Sequence, residues 1–216
     1  KIRGLEMVTI HEFGHGFWYG LVGSNEFEEA WLDEGINSYS TGKVMDVAYG
    51  RDRGMIEFLG IKAGETDILR ASNSPSAIYN RIIARAWEYT PTSSYGFYSY
   101  QKPEIALRTL EGYLGEQTMA RIMRTYHERW RFGHPRSEDF FAVANEVSGQ
   151  DLTWFFDQVF RGTDVLDYDV PTATSRVVPQ PRGVFDSPDG RTTVSEVDAR
   201  KAASESRKRG EQYETT

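Results

Sequence analysis

The sequence predicts a mainly α-helical chain, helical to about residue 165 and followed there by the start of a β-rich segment. Three observations carry that expectation. Apolar residues recur at helical spacing in several stretches before residue 161. The character changes after Arg161-Gly162, where VLDYDV (165–170) alternates like a strand. Further on, a Pro-Asp-Gly turn (188–190) separates two short β-like runs. Two domains are therefore expected, 1–165 helical and 166–216 a linker and the beginning of a β-sandwich-like domain.

The elements follow in order. From Leu5 to about Leu21, the residues Leu5, Val8, His11, His15, Trp18 and Val22 share one stripe, with Ile10, Phe13, Phe17 and Leu21 on other sides. A helix apolar nearly all round is expected to be buried. Gly14 and Gly16 lie inside it, and each costs roughly 1 kcal/mol relative to Ala, so another backbone or side chain is expected to approach closely there. A second helix should begin between Glu28 and Trp31 and run to Tyr49, ended by Gly50. Residues 51–99 are less regular, and the aromatic, turn-rich EYTPTSSYGFYSY (88–100) reads as a loop wall. Pro103 suits the first turn of the next helix. Another helix spans Glu116 to about Trp130, GHPRS (133–137) breaks it, and Ser137 is placed to cap EDFFAVANEVSG. Asp151 is placed to cap LTWFFDQVF. The last twenty residues, polar and mixed in charge, read as a solvated helix or a flexible end.

Composition narrows the function. The chain has 39% hydrophobic and 13% aromatic residues, enough for a packed core, and a formal charge of −7. That balance argues against nucleic acid or an anionic membrane surface as the main partner and suits cationic groups such as a peptide amino terminus. No cysteine is present, so neither a disulfide nor a thiolate ligand is available. No apolar run approaches membrane-spanning length. The first residue is Lys1 rather than Met. We expect an excised piece of a longer protein, truncated at its amino terminus, whose compartment and oligomeric state the sequence leaves open.

The stretch HEFGH (11–15) holds the chemistry. Residues four apart share a helix face, so His11 and His15 can offer two imidazoles to one ion, while Glu12, one step round, can serve as a general base toward water. One further protein ligand would leave an open fourth position on zinc. Glu34, near the start of the second helix, is the candidate. The bland alternative is a pair of core histidines satisfied by hydrogen bonds. His127 and His134 have no ligand-like spacing and read as surface or packing residues.

HEFGH with AWLDEGINSY (30–39), an HExxH-x18-Glu pattern, resembles the M1 family of zinc aminopeptidases, a gluzincin group of zincin-like fold. YSYQKPEIALRTLEGYLG (98–115) resembles the segment that carries the family's tyrosine and, two residues on, its lysine. EDFFAVANEVSGQDLTWFFDQVF (138–160) is similar to the end of its helical catalytic domain. The resemblance implies one Zn²⁺ ion held by His11, His15 and Glu34, with Glu12 as general base. It places the oxyanion-stabilising tyrosine at Tyr100, with Lys102 after it, and implies removal of amino-terminal residues from peptide substrates. A phenol, neutral near pH 7, is suited to donate to a developing oxyanion.

Three departures from the family pattern stand out. Pro103 replaces the usual glycine. Thr41 stands where many members carry an acidic residue, so another group must orient the histidine behind it. The upstream Gly-x-Met-Glu-Asn motif that reads the substrate amino terminus does not occur in these residues. The remaining alternatives are a related gluzincin with endopeptidase or glycyl aminopeptidase specificity, and a helical scaffold with a vestigial site.

Overall fold

The structure is a computed structural model that describes residues 2–72, 80–163, 175–177, 182–188, 190–209 and 213–215. The chain divides into two compact units, Lys1–Val165 and Leu166–Thr216.

The first unit is helical. In order it contains α1 (Gly4–Gly14), α2 (Glu26–Glu29), a 3₁₀ turn (Ala30–Leu32) and α3 (Glu34–Tyr49). A short hairpin follows, β1 (Ile56–Phe58) antiparallel to β2 (Ile61–Ala63), with Ile56 opposite Ala63. Then come α4 (Glu65–Ser72), α5 (Lys102–Leu114), α6 (Glu116–Trp130), α7 (Ser137–Ser148) and α8 (Thr153–Phe156). A π-helical turn, Phe97–Gln101, runs directly into α5. Gly50 ends α3 at φ 92° and Gly149 ends α7 at φ 69°, left-handed positions where a side chain would be strained. Pro103 lies in the first turn of α5, as its position in the sequence implied.

The core is aromatic. Trp31, fully buried, packs edge-on to Phe160 at 4.7 Å and to Phe140 at 5.5 Å between ring centroids. Phe141 stacks on Phe156 at 3.9 Å. Tyr126, Leu107, Leu110, Met119 and Ile122 complete this layer from α5 and α6. Leu32 from the 3₁₀ turn and Ile36 and Tyr39 from the first half of α3 join the same core.

Five expectations are corrected. The first helix stops at Gly14 rather than near Leu21, because Trp18 and Val22 turn into the core and the chain reverses through Tyr19 at φ 93°. Nor is α1 buried: none of its residues is, and Leu5 and Phe13 are 79% and 73% exposed. Its apolar residues surround the helix, but α3 covers only the side bearing the histidines. The second helix is three pieces, α2, the 3₁₀ turn and α3, since burial of Ala30, Trp31 and Leu32 bends the chain before Glu34. Part of the supposed loop, Phe97–Gln101, is helical. Ser137 begins α7 buried, with its hydroxyl accepting from the Trp31 indole at 2.8 Å. The N-terminal role falls instead to Asp139, which accepts the Arg136 N–H at 2.8 Å.

Asp151 accepts from the Thr153 N–H at 3.0 Å, as its position implied. In the second unit, β4 (Gly183–Ser187) pairs antiparallel with β5 (Gly190–Val194) across the Pro-Asp-Gly turn. β3 (Ser175–Val177) pairs antiparallel with β6 (Tyr213–Thr215), and α9 (Glu196–Arg209) comes between β5 and β6 in the chain. Over the residues whose burial is described, α9 is mostly exposed. The strand expected over 165–170 lies outside the described residues.

Candidate active site

The last turn of α1 and the first turn of α3 meet. His11 and His15 remain one turn apart, with ring centroids 4.8 Å from each other and planes at 90°. Glu34 opens α3 opposite them. Its Oε2 is 3.1 Å from His11 Nε2 and 3.3 Å from His15 Nε2. One ligating atom from each of the three residues lies within 4.8 Å of the others, a group that can hold a metal ion.

Close approach of the helices depends on Gly14. A Cβ there would come 1.9 Å from Asn37 Oδ1, so the close packing expected at this glycine is present and its partner is Asn37. Asn37 is fully buried, and its amide donates to the His11 carbonyl at 2.7 Å, tying α3 to the helix end that carries the imidazoles.

Tyr100, in the π-helical turn, donates to Glu34 Oε1 at 2.5 Å and stacks against the His11 ring at 5.7 Å. Burial, reinforced by the Glu34 charge, raises its phenol, so it keeps its proton at neutral pH. Burial alone would raise Glu34, but hydrogen bonds from His11 and Tyr100 outweigh it and hold the carboxyl low. Glu12 is exposed and lines the same cavity as His11 and Tyr100. Lys102 turns instead to the Tyr98 ring, 5.0 Å from its centroid, and burial lowers its ammonium.

One residue escaped the sequence reading. Asp33, 3% exposed, is 2.7 Å from His15 Nδ1. That contact fixes which ring nitrogen faces Glu34, as a carboxylate behind a metal-binding histidine does. Burial raises Asp33 to about 6, against the opposing charge of His15. Burial would lower His15, yet the charges of Asp33 and Glu34 prevail and raise it. The signal was available, a second acid beside Glu34 in WLDEG. A search for a replacement for the missing acid at Thr41 looks in the wrong turn of the helix.

His127 and His134 stand apart from this group. His127 lies edge-on to Trp18 at 5.5 Å, and His134 Nδ1 is 2.7 Å from the Gly23 carbonyl.

Comparison with known proteins places the chain in a family. Residues 1–159 match the Peptidase family M1 domain, and the chain belongs to that family. It is 25% identical over 150 residues to aminopeptidase M1-D of Oryza sativa subsp. japonica, covering 68% of this chain and 16% of that protein. It is 25% identical over 154 residues to human glutamyl aminopeptidase, covering 65% and 14%. Aminopeptidase N of Streptomyces lividans is 26% identical over 148 residues, 67% of this chain and 17% of its own length. The crystal structure of Legionella pneumophila aminopeptidase A in complex with aspartic acid shares the fold, with TM-score 0.56 and 18% identity over 80% of this chain and 18% of that one. The chain thus spans about a sixth of the length of the relatives it matches.

Proposed function

We propose that the chain carries the catalytic centre of a zinc-dependent aminopeptidase, with His11, His15 and Glu34 as metal ligands and Glu12 and Tyr100 as catalytic groups. The observation that carries this reading is the convergence of three ligating atoms within 4.8 Å beneath a tyrosine hydroxyl. Two imidazoles and one carboxylate suit zinc, with one coordination position left over. When bound, the ion would supply Lewis-acid polarisation of the scissile carbonyl and a more acidic water.

The chain's own residues do the rest. Asp33 holds the His15 ring with Nε2 toward the centre. Glu12 takes a proton from the attacking water and delivers it to the leaving amine. Tyr100, kept protonated, donates to the oxyanion as it develops and so binds the transition state better than the substrate. Its hydrogen bond to Glu34 marks the side from which it reaches the centre.

Glu12→Gln tests this directly. The variant should bind one zinc per chain, by elemental analysis, and lose hydrolysis of aminoacyl anilides by about 10²–10⁴-fold. Hydrolysis at the wild-type rate would remove Glu12 as base. Failure of the wild-type chain to take up zinc would remove the ligand set.

A further inference from the structure

Beside His11, Glu12 and Tyr100 opens a cavity of about 490 Å³ whose deeper wall the proposed chemistry does not use. That wall holds Thr41 from α3, Glu65 from α4 and Glu104 from α5, exposed by only 2%, 9% and 2%. Thr41 Oγ1, Glu65 Oε2 and Glu104 Oε1 are buried with no hydrogen-bond partner among the described residues. Two carboxylate oxygens and a hydroxyl in that condition are costly unless something bonds to them.

The charges are also out of balance. Asp46, Glu65 and Glu104 surround one guanidinium, that of Arg108. Its Nη1 is committed to Asp46 at 2.7 Å; its Nε, 3.8 Å from Glu104, and its Nη2 are buried without a hydrogen-bond partner among the described residues, so the guanidinium lies beside these oxygens without bonding them. Lys43 is held elsewhere, by Glu111 and Glu116. Gly42 lets the groups converge: a Cβ there would lie 2.4 Å from Arg108 Nη2, 2.7 Å from Glu104 Oε1 and 3.0 Å from Glu65 Oε2. The cavity's remaining surface is largely apolar, from Met7, Met55, Ile68 and Leu69. Acceptors at one end and apolar walls along the side match a long aliphatic stem with a cationic tip.

We propose that this cavity is a substrate subsite for a basic side chain, in which Glu65, Glu104 and Thr41 accept from the ammonium or guanidinium of a lysine or arginine while the apolar walls pack its methylenes. The inference rests on the peptidase reading only for placing the side chain within a peptide. Burial raises both Glu65 and Glu104, with the Arg108 charge opposing, and a second cation beside them would act in the same sense as Arg108.

The test compares lysinamide with norleucinamide by titration calorimetry on the zinc-loaded chain. Both probes carry the same α-amine and a four-carbon side chain, so a preference isolates the side-chain charge. Lysinamide should bind about ten-fold more tightly, a difference of about 1.4 kcal/mol. Glu104→Gln, and independently Glu65→Gln, should bring the two probes within about two-fold while norleucinamide binding holds, which also reports that each variant is folded. Equal binding of the probes by the wild type, no binding of either, or a preference that survives both substitutions overturns the proposal. The assay needs no turnover. A chain that prefers lysinamide but hydrolyses nothing keeps the subsite and loses the peptidase reading. A chain that cleaves lysyl and norleucyl anilides equally well, and binds the two amides equally, loses the subsite alone.

Discussion

α3 has two sides held by different physics. On one side it is continuous with an aromatic core, in which Ile36 is buried and Trp31, in the turn just before it, packs on Phe140, Phe141 and Phe160. Toward α1, α4 and α5 it meets polar groups: Asn37 on the His11 carbonyl, Glu34 between two imidazoles, Asp46 on Arg108. The first side excludes water over a large area and supplies stability. The second gathers ionisable groups whose geometry is useful but whose net contribution is small or unfavourable. The candidate site is built on the second and kept in place by the first. α1 shows the division most clearly, since it carries His11, with His15 just past its end, and no buried residue.

The division can be broken from either side. The largest effect should come from Trp31→Ala, which empties the middle of the core and leaves the Ser137 hydroxyl without its donor. A loss of about 3–5 kcal/mol in denaturant unfolding is expected. A loss below about 1 kcal/mol would mean that the core does not hold the site.

Next is Asp33→Asn, nearly isosteric and one turn from the core. Zinc affinity, measured by competition with a chelator, should fall about 10–100-fold with little change in the unfolding midpoint of the metal-free protein. Equal affinity would show that His15 needs no such support.

A smaller effect separates the two sides by pH. Glu104 is raised by burial and by neighbouring Glu65, with Arg108 opposing. A carboxyl whose folded value exceeds its unfolded value of about 4.5 binds more protons folded than unfolded, so it lowers stability as pH rises from about 4.5 toward the raised value. Glu104→Gln should therefore flatten the pH dependence of stability over that interval relative to the wild type, with Glu65, Asp46 and Arg108 as the neighbouring charges that set its size. An unchanged slope would place the polar layer's titration elsewhere.

The smallest effect is expected from Phe13→Ser on the exposed side of α1. Phe13 is 73% exposed, so stability should change by no more than about 0.5 kcal/mol. A larger loss would show that α1 is held by apolar contact after all.

Much of this was legible in the sequence. Spacing alone brought His11 and His15 onto one face, and the punctuation by Gly50, Pro103 and Gly149 located helix ends because those residues act through their own backbone angles. The Pro-Asp-Gly hairpin was legible for the same reason. What periodicity could not supply was a partner. It marked α1 as apolar all round but held no information on which side another element would cover. It carried the first helix through Gly14 because the competing burial of Trp18 and Val22 is a tertiary effect. Asp33 was missed because its role appears only when the 3₁₀ turn swings it behind His15, and Ser137 was misread because a serine at a helix start can equally receive a distant indole.

The π-helical turn before α5 has one further consequence. Such a turn holds an extra residue relative to regular helix, and each helical residue advances the side chain by about 100°. Tyr100 lies within that turn and Pro103 just beyond it. The hydroxyl's aim at Glu34 is thus a matter of phase: the insertion sets the tyrosine out of step with the helix that follows. α5 can keep its buried face on the core while Tyr100 looks elsewhere. A sequence one residue shorter could preserve every side chain named here and still point the phenol away from the centre.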